Sequence, residues 1–199
     1  EKRPQYNKVI SGGYAPASTF KMAVMLAALE SNLIDPNRKI FCVGKLRLGN
    51  RTFHCWKRNG HGPMNMVDAL KNSCDTYFYD IAQTIGIERI ADAGRRLGLG
   101  QSYGIGIAGE KSGIVPDPDW KQNKMGSGWR MGDTLNASIG QGFVLATPLQ
   151  LAVMSARIAN GAYAVSPNLI VGETLQPPQP MDVDPQHLNI IRQAMWNVV

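Results

Sequence analysis

One apolar run, residues 22–29, constrains the fold of this chain more than any other segment, because it is the longest stretch without a polar residue. Ala, Met and Leu recur through it at helical spacing, and residues 20–31 are therefore predicted to form a helix that Asn32 and Asp35-Pro36 end. A bilayer-spanning helix needs roughly 20 apolar residues. The run is too short for that, and we expect a helix of a globular domain.

Composition supports one globular domain with a modest positive charge. The chain has 199 residues, of which 44% are hydrophobic and 18% charged, and its formal net charge is +6. Lys and Arg are scattered rather than gathered into a stripe, so we predict no nucleic-acid partner. Attraction to an anionic polymer or to a membrane surface is the milder consequence of this charge.

Turn and capping residues divide the remainder of the chain. A β-hairpin is predicted at residues 45–48 and 51–54, about Gly49-Asn50. Further helices are predicted at residues 65–71, 75–85, 87–97 and 149–160, and from Pro185 onward. The other segments are predicted to be a loop-rich region (100–146), an extended hairpin (163–171) and a proline-rich linker (176–185).

The first candidate for chemistry is Ser18-Thr19-Phe20-Lys21, at the predicted start of the first helix. Positions three apart share a helix face, so the Lys21 amine can reach the Ser18 hydroxyl. Burial disfavours the charged ammonium, which would let Lys21 accept the proton of a nucleophilic serine. The alternative is a serine that caps the helix beside an exposed lysine, and the four residues alone do not exclude it.

Two downstream segments carry further candidates. Ser73, in Ser73-Cys74-Asp75, could relay a proton between a nucleophile, a lysine and a leaving amine. The alternative is that Ser73 or Asp75 caps the following helix. Residues 138–142, Ser-Ile-Gly-Gln-Gly, suggest close backbone packing beside a cleft, or an ordinary tight turn.

Together these segments resemble class B penicillin-binding proteins over nearly the whole chain. Residues 14–21 resemble the Tyr-x-Pro-Gly-Ser-Thr-Phe-Lys box of that family, residues 73–79 resemble its second motif, and residues 132–150 resemble the stretch that follows. The chain is most similar to the elongation-type subfamily, penicillin-binding protein 2, of Gram-negative bacteria. Residues 53–58 with 60–62 are similar to the alphaproteobacterial members of this subfamily.

The resemblance implies an α+β transpeptidase fold of the serine β-lactamase type, with this chain forming its mostly helical part within residues 1–199. It implies that Ser18 attacks the D-Ala-D-Ala carbonyl of a peptidoglycan stem peptide or the amide of a β-lactam. Lys21 would be the general base, and Ser73, oriented by Asp75, would shuttle the proton. A second amine would then resolve the acyl-enzyme and form the cross-link.

The chain departs from the family pattern in three places. Ala17 replaces the usual glycine, and we expect this change to be tolerated if the backbone there has negative φ. The second motif ends in Asp75 rather than Asn. We assign no residues to the third family motif, Lys-Thr-Gly or Lys-Ser-Gly, and expect the chain to lack it together with its strand.

The three cysteines, with one histidine, form a candidate metal site at residues 40–75. Cys42, Cys55, His61 and Cys74 have the spacing C-x12-C-x5-H-x12-C, and thiolates with a neutral imidazole are good zinc ligands. The hairpin between Cys42 and Cys55 could bring them together. The alternatives are buried free thiols, or one disulfide with a spare cysteine, and His54 is a rival imidazole.

Three other readings of the chain remain open at this point. A β-lactamase or β-lactam sensor of the same superfamily, or a zinc-stabilised scaffold without catalysis, would also fit these residues. The resemblance further implies an inner-membrane anchor, a periplasmic location and a glycosyltransferase partner of the RodA type within an elongation complex.

Overall fold

The computed structural model describes residues 6–161, 163–169 and 177–198. The helices are α1 (Lys8–Ser11), a 3₁₀ turn (Ala17–Phe20), α2 (Lys21–Ser31), α3 (Met66–Lys71), α4 (Asp75–Arg96), α5 (Pro118–Met125), α6 (Met131–Ser138), α7 (Pro148–Asn160) and α8 (Pro185–Trp196). The strands are β1 (Ile40–Cys42), β2 (Lys45–Leu48), β3 (Arg51–His54) and β4 (Gly62–Met64). Among these described helices, none is long and apolar enough to cross a membrane.

Helix α2 is the centre of the molecule. Each of its first nine residues, from Lys21 to Leu29, is buried, because the sequence is apolar on every face of this helix. It packs against the 3₁₀ turn, α3, α4 and α8, which surround it with the apolar sides of their own helices. The predicted helix over residues 20–31 is confirmed, and so is the expectation of a mostly helical piece with little strand.

The four short strands form two antiparallel pairs between α2 and α3. Strand β2 pairs with β3, with Lys45 opposite His54, and the turn at Gly49-Asn50 is the one predicted. Strand β1 pairs with β4, which brings Cys42 opposite Gly62. The hairpin therefore returns the chain to the point from which it left β1.

Two glycines allow this return because no side chain fits at their positions. A Cβ on Gly44 would lie 2.0 Å from the carbonyl oxygen of Arg58, and one on Gly60 would lie 2.1 Å from that of Cys42. Both glycines also have left-handed φ values, 85° and 78°. The two backbone segments that flank the hairpin thus lie in direct contact.

Local signals set the limits of the later helices. Gly86 has non-helical φ 78° and ψ 162° inside α4, so the predicted break between residues 85 and 87 is present. Helix α7 begins with the predicted Thr147-Pro148, where Thr147 accepts the Gln150 N–H, and it ends at left-handed Gly161.

The loop-rich prediction for residues 100–146 is wrong in part. Two eight-residue helices, α5 and α6, lie inside it, and the short helix α1 was likewise not predicted. Asp117 caps α5 by accepting the Trp120 N–H, and Pro118 occupies its first turn. Of the predicted hairpin at 163–171, Tyr163 pairs with Pro180, and residues 170–171 lie outside the described residues, as does residue 176 of the predicted linker.

Candidate active site and metal centre

Ser18 and Lys21 share one face of the continuous helical segment formed by the 3₁₀ turn and α2. Their spacing places Lys21 Nζ 3.2 Å from Ser18 Oγ. Lys21 is completely buried, whereas Ser18 is exposed. The alternative in which Ser18 caps the helix is wrong, because Pro16 occupies the cap of the 3₁₀ turn and Ser18 lies inside it.

Ser73 meets the same hydroxyl from the start of α4. Its Oγ donates to Ser18 Oγ at 2.7 Å, and Lys21 Nζ donates to Ser73 Oγ at 3.0 Å. The Lys21 amine also donates to the Ser73 carbonyl oxygen at 2.9 Å. The three side chains close a triangle in which a proton can pass between any two of them. The alternative cap role of Ser73 is wrong, since Cys74 occupies the cap of α4 and no side chain bonds there.

Asp75 is the counter-ion of Lys21. Its Oδ1 lies 2.6 Å from Lys21 Nζ, and only 11% of the Asp75 side chain is exposed. Its Oδ2 accepts the backbone N–H of Trp56 at 2.8 Å. The expectation that Asp75 orients Ser73 therefore needs correction. These contacts join Asp75 to Lys21 and Trp56, and both of those residues contact Ser73.

Two strained residues flank the nucleophile. Ala17 has φ 49° and Ser73 has φ 50°, both in the left-handed region that favours glycine. The condition under which Ala17 was expected to be harmless, a negative φ, is not met. Backbone strain of this kind costs about 1–3 kcal/mol per residue and persists only where surrounding contacts fix it.

The segment at residues 138–142 supports this strained turn. Ala17 N–H donates to the carbonyl oxygen of Gly140 at 2.9 Å, and a Cβ on Gly140 would lie 2.1 Å from the Ala17 carbonyl oxygen. Ile139 and Gln141, on either side, line the cleft above Ser18. The prediction of close backbone packing beside a cleft is confirmed.

The cleft itself has a volume of about 500 Å³ and includes residues that sequence reasoning did not assign to it. These additional lining residues are His54, Trp56, Arg58 and Tyr79. Three of them, His54, Trp56 and Arg58, lie at the end of β3 and in the segment after it, close to Cys55 in the sequence. The side chain of Trp56 is 62% exposed, and its Nε1 donates to the carbonyl oxygens of Asn72 and Ser73, each at 3.1 Å.

The expectation about the third motif also needs correction. Lys111-Ser112-Gly113 does have the letters of Lys-Ser-Gly, so the tripeptide is present in the chain. It lies in a loop, where Lys111 N–H donates to the Ile10 carbonyl oxygen, and Ser112 and Gly113 line a different cleft with Trp120. The position beside Ser18 that the third motif would occupy is not taken by these residues.

The four predicted metal ligands are brought together beside this site. Their sulfur and nitrogen atoms all lie within 4.8 Å of one another. Cys55 N–H donates to the Gly44 carbonyl oxygen at 2.9 Å, which closes the hairpin and places Cys55 beside Cys42. Cys74 joins from the start of α4, on the far side of the chain from Ser73 and Asp75. The rival His54 is exposed and lines the cleft instead.

The distances within this cluster fit a tetrahedral zinc ion. His61 Nδ1 lies 3.6 Å from Cys42 Sγ and 3.5 Å from Cys55 Sγ. Zinc bonds of about 2.3 Å to sulfur and 2.0 Å to nitrogen, at the tetrahedral angle, place such atoms about 3.5 Å apart. No disulfide joins the three cysteines, and all three are buried.

The protonation of these thiols bears on whether they could bind a cation. Burial would raise the pKa of Cys42, but its polar neighbours Thr76 and His61 outweigh this effect and lower the pKa to about 6. Burial raises the pKa of Cys74 far above its ordinary value, and the nearby Cys42 and Cys55 raise it further. Three neighbouring sulfurs cannot all be thiolates without a compensating charge, which a divalent metal ion supplies.

Sequence comparison now gives the relatives of this chain. The family model of the penicillin-binding protein transpeptidase domain matches residues 1–199. The peptidoglycan D,D-transpeptidase MrdA of Haemophilus influenzae is 37% identical over 199 residues, covering 98% of this chain and 30% of the relative. The protein of the same name from Escherichia coli K12 is 32% identical over 207 residues, covering 98% and 33%.

Solved structures of penicillin-binding proteins are also similar to this chain. Penicillin-binding protein 2 of Pseudomonas aeruginosa, in complex with WCK 5153, has a TM-score of 0.89 at 37% identity over 97% of this chain and 44% of that one. Penicillin-binding protein 2 of Helicobacter pylori, in complex with MreC, has a TM-score of 0.92 at 35% identity over 98% and 37%.

The expected family and fold are thereby confirmed. The chain spans about a third of the length of these curated relatives, 30% and 33%. Its match to the family model nevertheless runs from the first residue to the last, through Ser18, Lys21, Ser73 and Asp75. This chain belongs to the penicillin-binding protein transpeptidase family.

Proposed function

We propose that this chain carries the acyl-serine site of a peptidoglycan D,D-transpeptidase that acts in cell-wall elongation. The observation that carries the proposal is the triangle of Ser18, Lys21 and Ser73, in which an exposed hydroxyl lies within hydrogen-bond distance of a buried amine and a second hydroxyl. Relatives named peptidoglycan D,D-transpeptidase support the substrate, a stem peptide that ends in D-Ala-D-Ala.

Acylation follows from these distances. Ser18 Oγ attacks the carbonyl carbon of the penultimate D-Ala, and its proton passes to Lys21 Nζ at 3.2 Å, which must first lose the proton that it holds in the resting ion pair with Asp75. The bond between this carbonyl carbon and the nitrogen of the terminal D-Ala then breaks. The leaving nitrogen takes a proton by way of Ser73 Oγ, which lies 3.0 Å from Lys21 Nζ.

The second half of the reaction reverses these roles. The amine of a neighbouring stem peptide attacks the acyl carbon, loses a proton to the same relay and releases Ser18. In a β-lactam the ring amide takes the place of the peptide bond, and the opened ring stays attached to Ser18. The acyl-enzyme then persists, because the amine end of the antibiotic is not released.

Part of the oxyanion stabilisation can come from this chain. Ser18 lies in the first turn of a helix, where backbone N–H groups make no bond within the helix and can face a developing negative charge. The resemblance assigns the second donor, and the lysine that binds the substrate carboxylate, to the third motif. Ser112 and Gly113 of Lys111-Ser112-Gly113 line another cleft, so we assign neither role to this tripeptide.

Release of D-alanine tests this proposal. The intact protein is incubated with a pentapeptide that ends in D-Ala-D-Ala, with and without an amine acceptor, and free D-alanine is measured by a coupled oxidase assay. The proposal expects release by the wild type and none by Ser18→Ala. Equal release by both proteins would mean that Ser18 is not the nucleophile.

The metal cluster is proposed as a structural zinc site. Cys42, Cys55, His61 and Cys74 would hold the ion, and its four protein ligands leave no open position for a substrate. Cys74 stands between Ser73 and Asp75, so a ligand bond to Cys74 fixes the turn that carries both residues. We therefore propose that the metal holds the second catalytic motif in place.

Metal analysis of the purified protein tests the site. One zinc per chain is expected by elemental mass spectrometry, and Cys55→Ser should lower this content. Exposed His54, which is adjacent in sequence but outside the cluster, provides the matched control as His54→Gln. A wild-type protein without bound zinc after purification free of chelators would contradict the proposal.

Location and partners follow from the proposed substrate. Cross-linking of peptidoglycan takes place on the periplasmic face of the inner membrane, and we propose that the protein works there with a RodA-type glycosyltransferase. A related complex is described as a peptidoglycan synthase that coordinates polymerization and crosslinking, and the Helicobacter pylori relative is bound to MreC. Protease treatment of spheroplasts should degrade the protein if it faces the periplasm, and leave it intact if it does not.

The family match does not favour the other readings left open by the sequence. The sensor and β-lactamase readings share the serine chemistry, but the named relatives are transpeptidases. A scaffold without catalysis gives no reason for the closeness of Ser18, Lys21 and Ser73.

A further inference from the structure

We infer that Trp56 is a positioning residue of the acylation site, whose indole N–H holds the Ser73 carbonyl group and with it the hydroxyl that relays the proton. The inference rests on the proposed function, since it concerns how Ser73 is kept in place for proton transfer. Trp56 follows the metal ligand Cys55 directly, so it also joins the metal centre to the reacting groups.

The contacts of Trp56 reach both residues that flank Cys74. Its backbone N–H donates to Asp75 Oδ2 at 2.8 Å. Its indole Nε1 donates to the Ser73 carbonyl oxygen at 3.1 Å and shares that proton with the Asn72 carbonyl oxygen, also at 3.1 Å. Trp56 thus contacts every residue of the turn from Asn72 to Asp75 except the proposed metal ligand, Cys74.

Ser73 needs such support because its backbone is strained. A non-glycine residue at φ 50° keeps that conformation only where several contacts fix it. The Ser73 carbonyl oxygen accepts from Lys21 Nζ at 2.9 Å in addition to the Trp56 indole. If the indole donor is lost, this carbonyl keeps one donor, and the Ser73 hydroxyl is held less firmly at the position 2.7 Å from Ser18.

The exposure of Trp56 argues against a role in core packing. Its side chain is 62% exposed at the wall of the cleft, where a large aromatic group gains little from burial. The ring instead forms a T-shaped contact with the His61 ring, with centroids 5.3 Å apart and an angle of 68° between the planes. The metal ligand on one side and the carbonyl oxygens on the other therefore set the orientation of the indole.

Acylation kinetics test this role. With a fluorescent penicillin in stopped-flow experiments on the intact protein, the inference expects Trp56→Phe to lower the acylation rate constant about three- to tenfold, the effect of one neutral hydrogen bond. The dissociation constant of the noncovalent complex and the zinc content should stay within twofold of the wild type. Trp196→Phe, which changes an indole that is 81% exposed on α8, should leave all three quantities unchanged.

A shape-preserving replacement separates the N–H from the ring. Benzothienylalanine at position 56 keeps the size of the indole and lacks its donor, so it should behave like Trp56→Phe. Wild-type acylation by the benzothienyl protein would overturn the inference and leave the proposed function standing. A wild type that forms no adduct at all would instead overturn the proposed function.

The NMR chemical shift of the Ser73 carbonyl carbon provides a measurement that does not depend on acylation. The ¹³C resonance of the Ser73 carbonyl should move upfield in Trp56→Phe, because a hydrogen-bond donor is removed, and should be unaffected in Trp196→Phe. An unchanged Ser73 resonance in the Trp56 variant would overturn the inference whether or not the protein is acylated.

Discussion

The buried ion pair between Lys21 and Asp75 gives the sharpest prediction for stability. Asp75→Asn keeps nearly the same shape but removes the carboxylate that lies 2.6 Å from Lys21 Nζ. It also places an amide near the ammonium group, and if the amide NH₂ faces Nζ, donor meets donor. Lys21 is completely buried, so water cannot replace the lost partner.

The expected loss of stability in Asp75→Asn follows from the distance between the two charges and from their burial. Two unit charges 2.6 Å apart attract by about 6 kcal/mol at an effective dielectric constant of roughly 20. Part of this attraction is offset by the desolvation that the pair already bears, and breaking one partner of a buried pair costs about 3–5 kcal/mol in other proteins. We expect Asp75→Asn to lower the free energy of unfolding by that amount.

A double-mutant cycle, followed by urea denaturation, measures the interaction free energy between the Lys21 and Asp75 side chains. Lys21→Met removes the buried charge together with its need for a partner, so adding it to Asp75→Asn should recover most of the lost stability. The coupling energy should be at least about 2 kcal/mol. A loss below 1 kcal/mol for Asp75→Asn, with no coupling to Lys21→Met, would refute the view that Asp75 compensates a buried ammonium.

Three further predictions concern the strained turn and the metal region. Ala17→Gly should raise the free energy of unfolding by about 0.5–1 kcal/mol in urea denaturation, because glycine adopts φ 49° without strain; a loss of stability would contradict this. Gly60→Ala should cost 2 kcal/mol or more and lower the zinc content, because its Cβ would lie 2.1 Å from the Cys42 carbonyl oxygen. Gly49→Ala, also at positive φ but with no atom within 4 Å, is its control and should keep full zinc. Removal of the metal by a chelator should lower both the melting temperature and the acylation rate constant, and re-addition of zinc should restore both; unchanged acylation after complete removal would sink the proposed link to Ser73.

Local sequence signals predicted several elements because their cause is local. Thr147-Pro148 and Gly161 define both ends of α7, and Gly49-Asn50 defines the β2–β3 turn. Helices α5 and α6 were not predicted, because eight residues give too little periodicity to stand out from a region rich in glycine and proline. Asp117-Pro118 at the start of α5 is nevertheless a local signal for the beginning of a helix.

The site was predictable where a motif places its residues at helix starts. Ser18, Lys21 and Ser73 were predicted in this way, and residue type and spacing predicted the cluster of Cys42, Cys55, His61 and Cys74 that the fold brings together. The contacts of Trp56 with the turn at Ser73 were not predictable, since they join residues 16 to 19 positions apart that only the folded chain brings together.

The backbone angles at the site were not predictable from the sequence either. The left-handed conformation of Ala17 depends on the contact of its turn with Gly140, more than 120 residues later. Lys111-Ser112-Gly113 shows the opposite limit: the tripeptide has the letters of a motif, but it lies in a loop whose Ser112 and Gly113 line a cleft that does not contain Ser18.

The central claim is that Ser18 is the residue that becomes acylated. Intact-protein mass spectrometry after incubation with a penicillin tests it most directly, with peptide mapping of the adduct and Ser18→Ala as the control. The account predicts a mass increase equal to one whole antibiotic molecule, located on the peptide that contains Ser18 and absent from the variant. An adduct that maps to another residue, or that persists in Ser18→Ala, would contradict it.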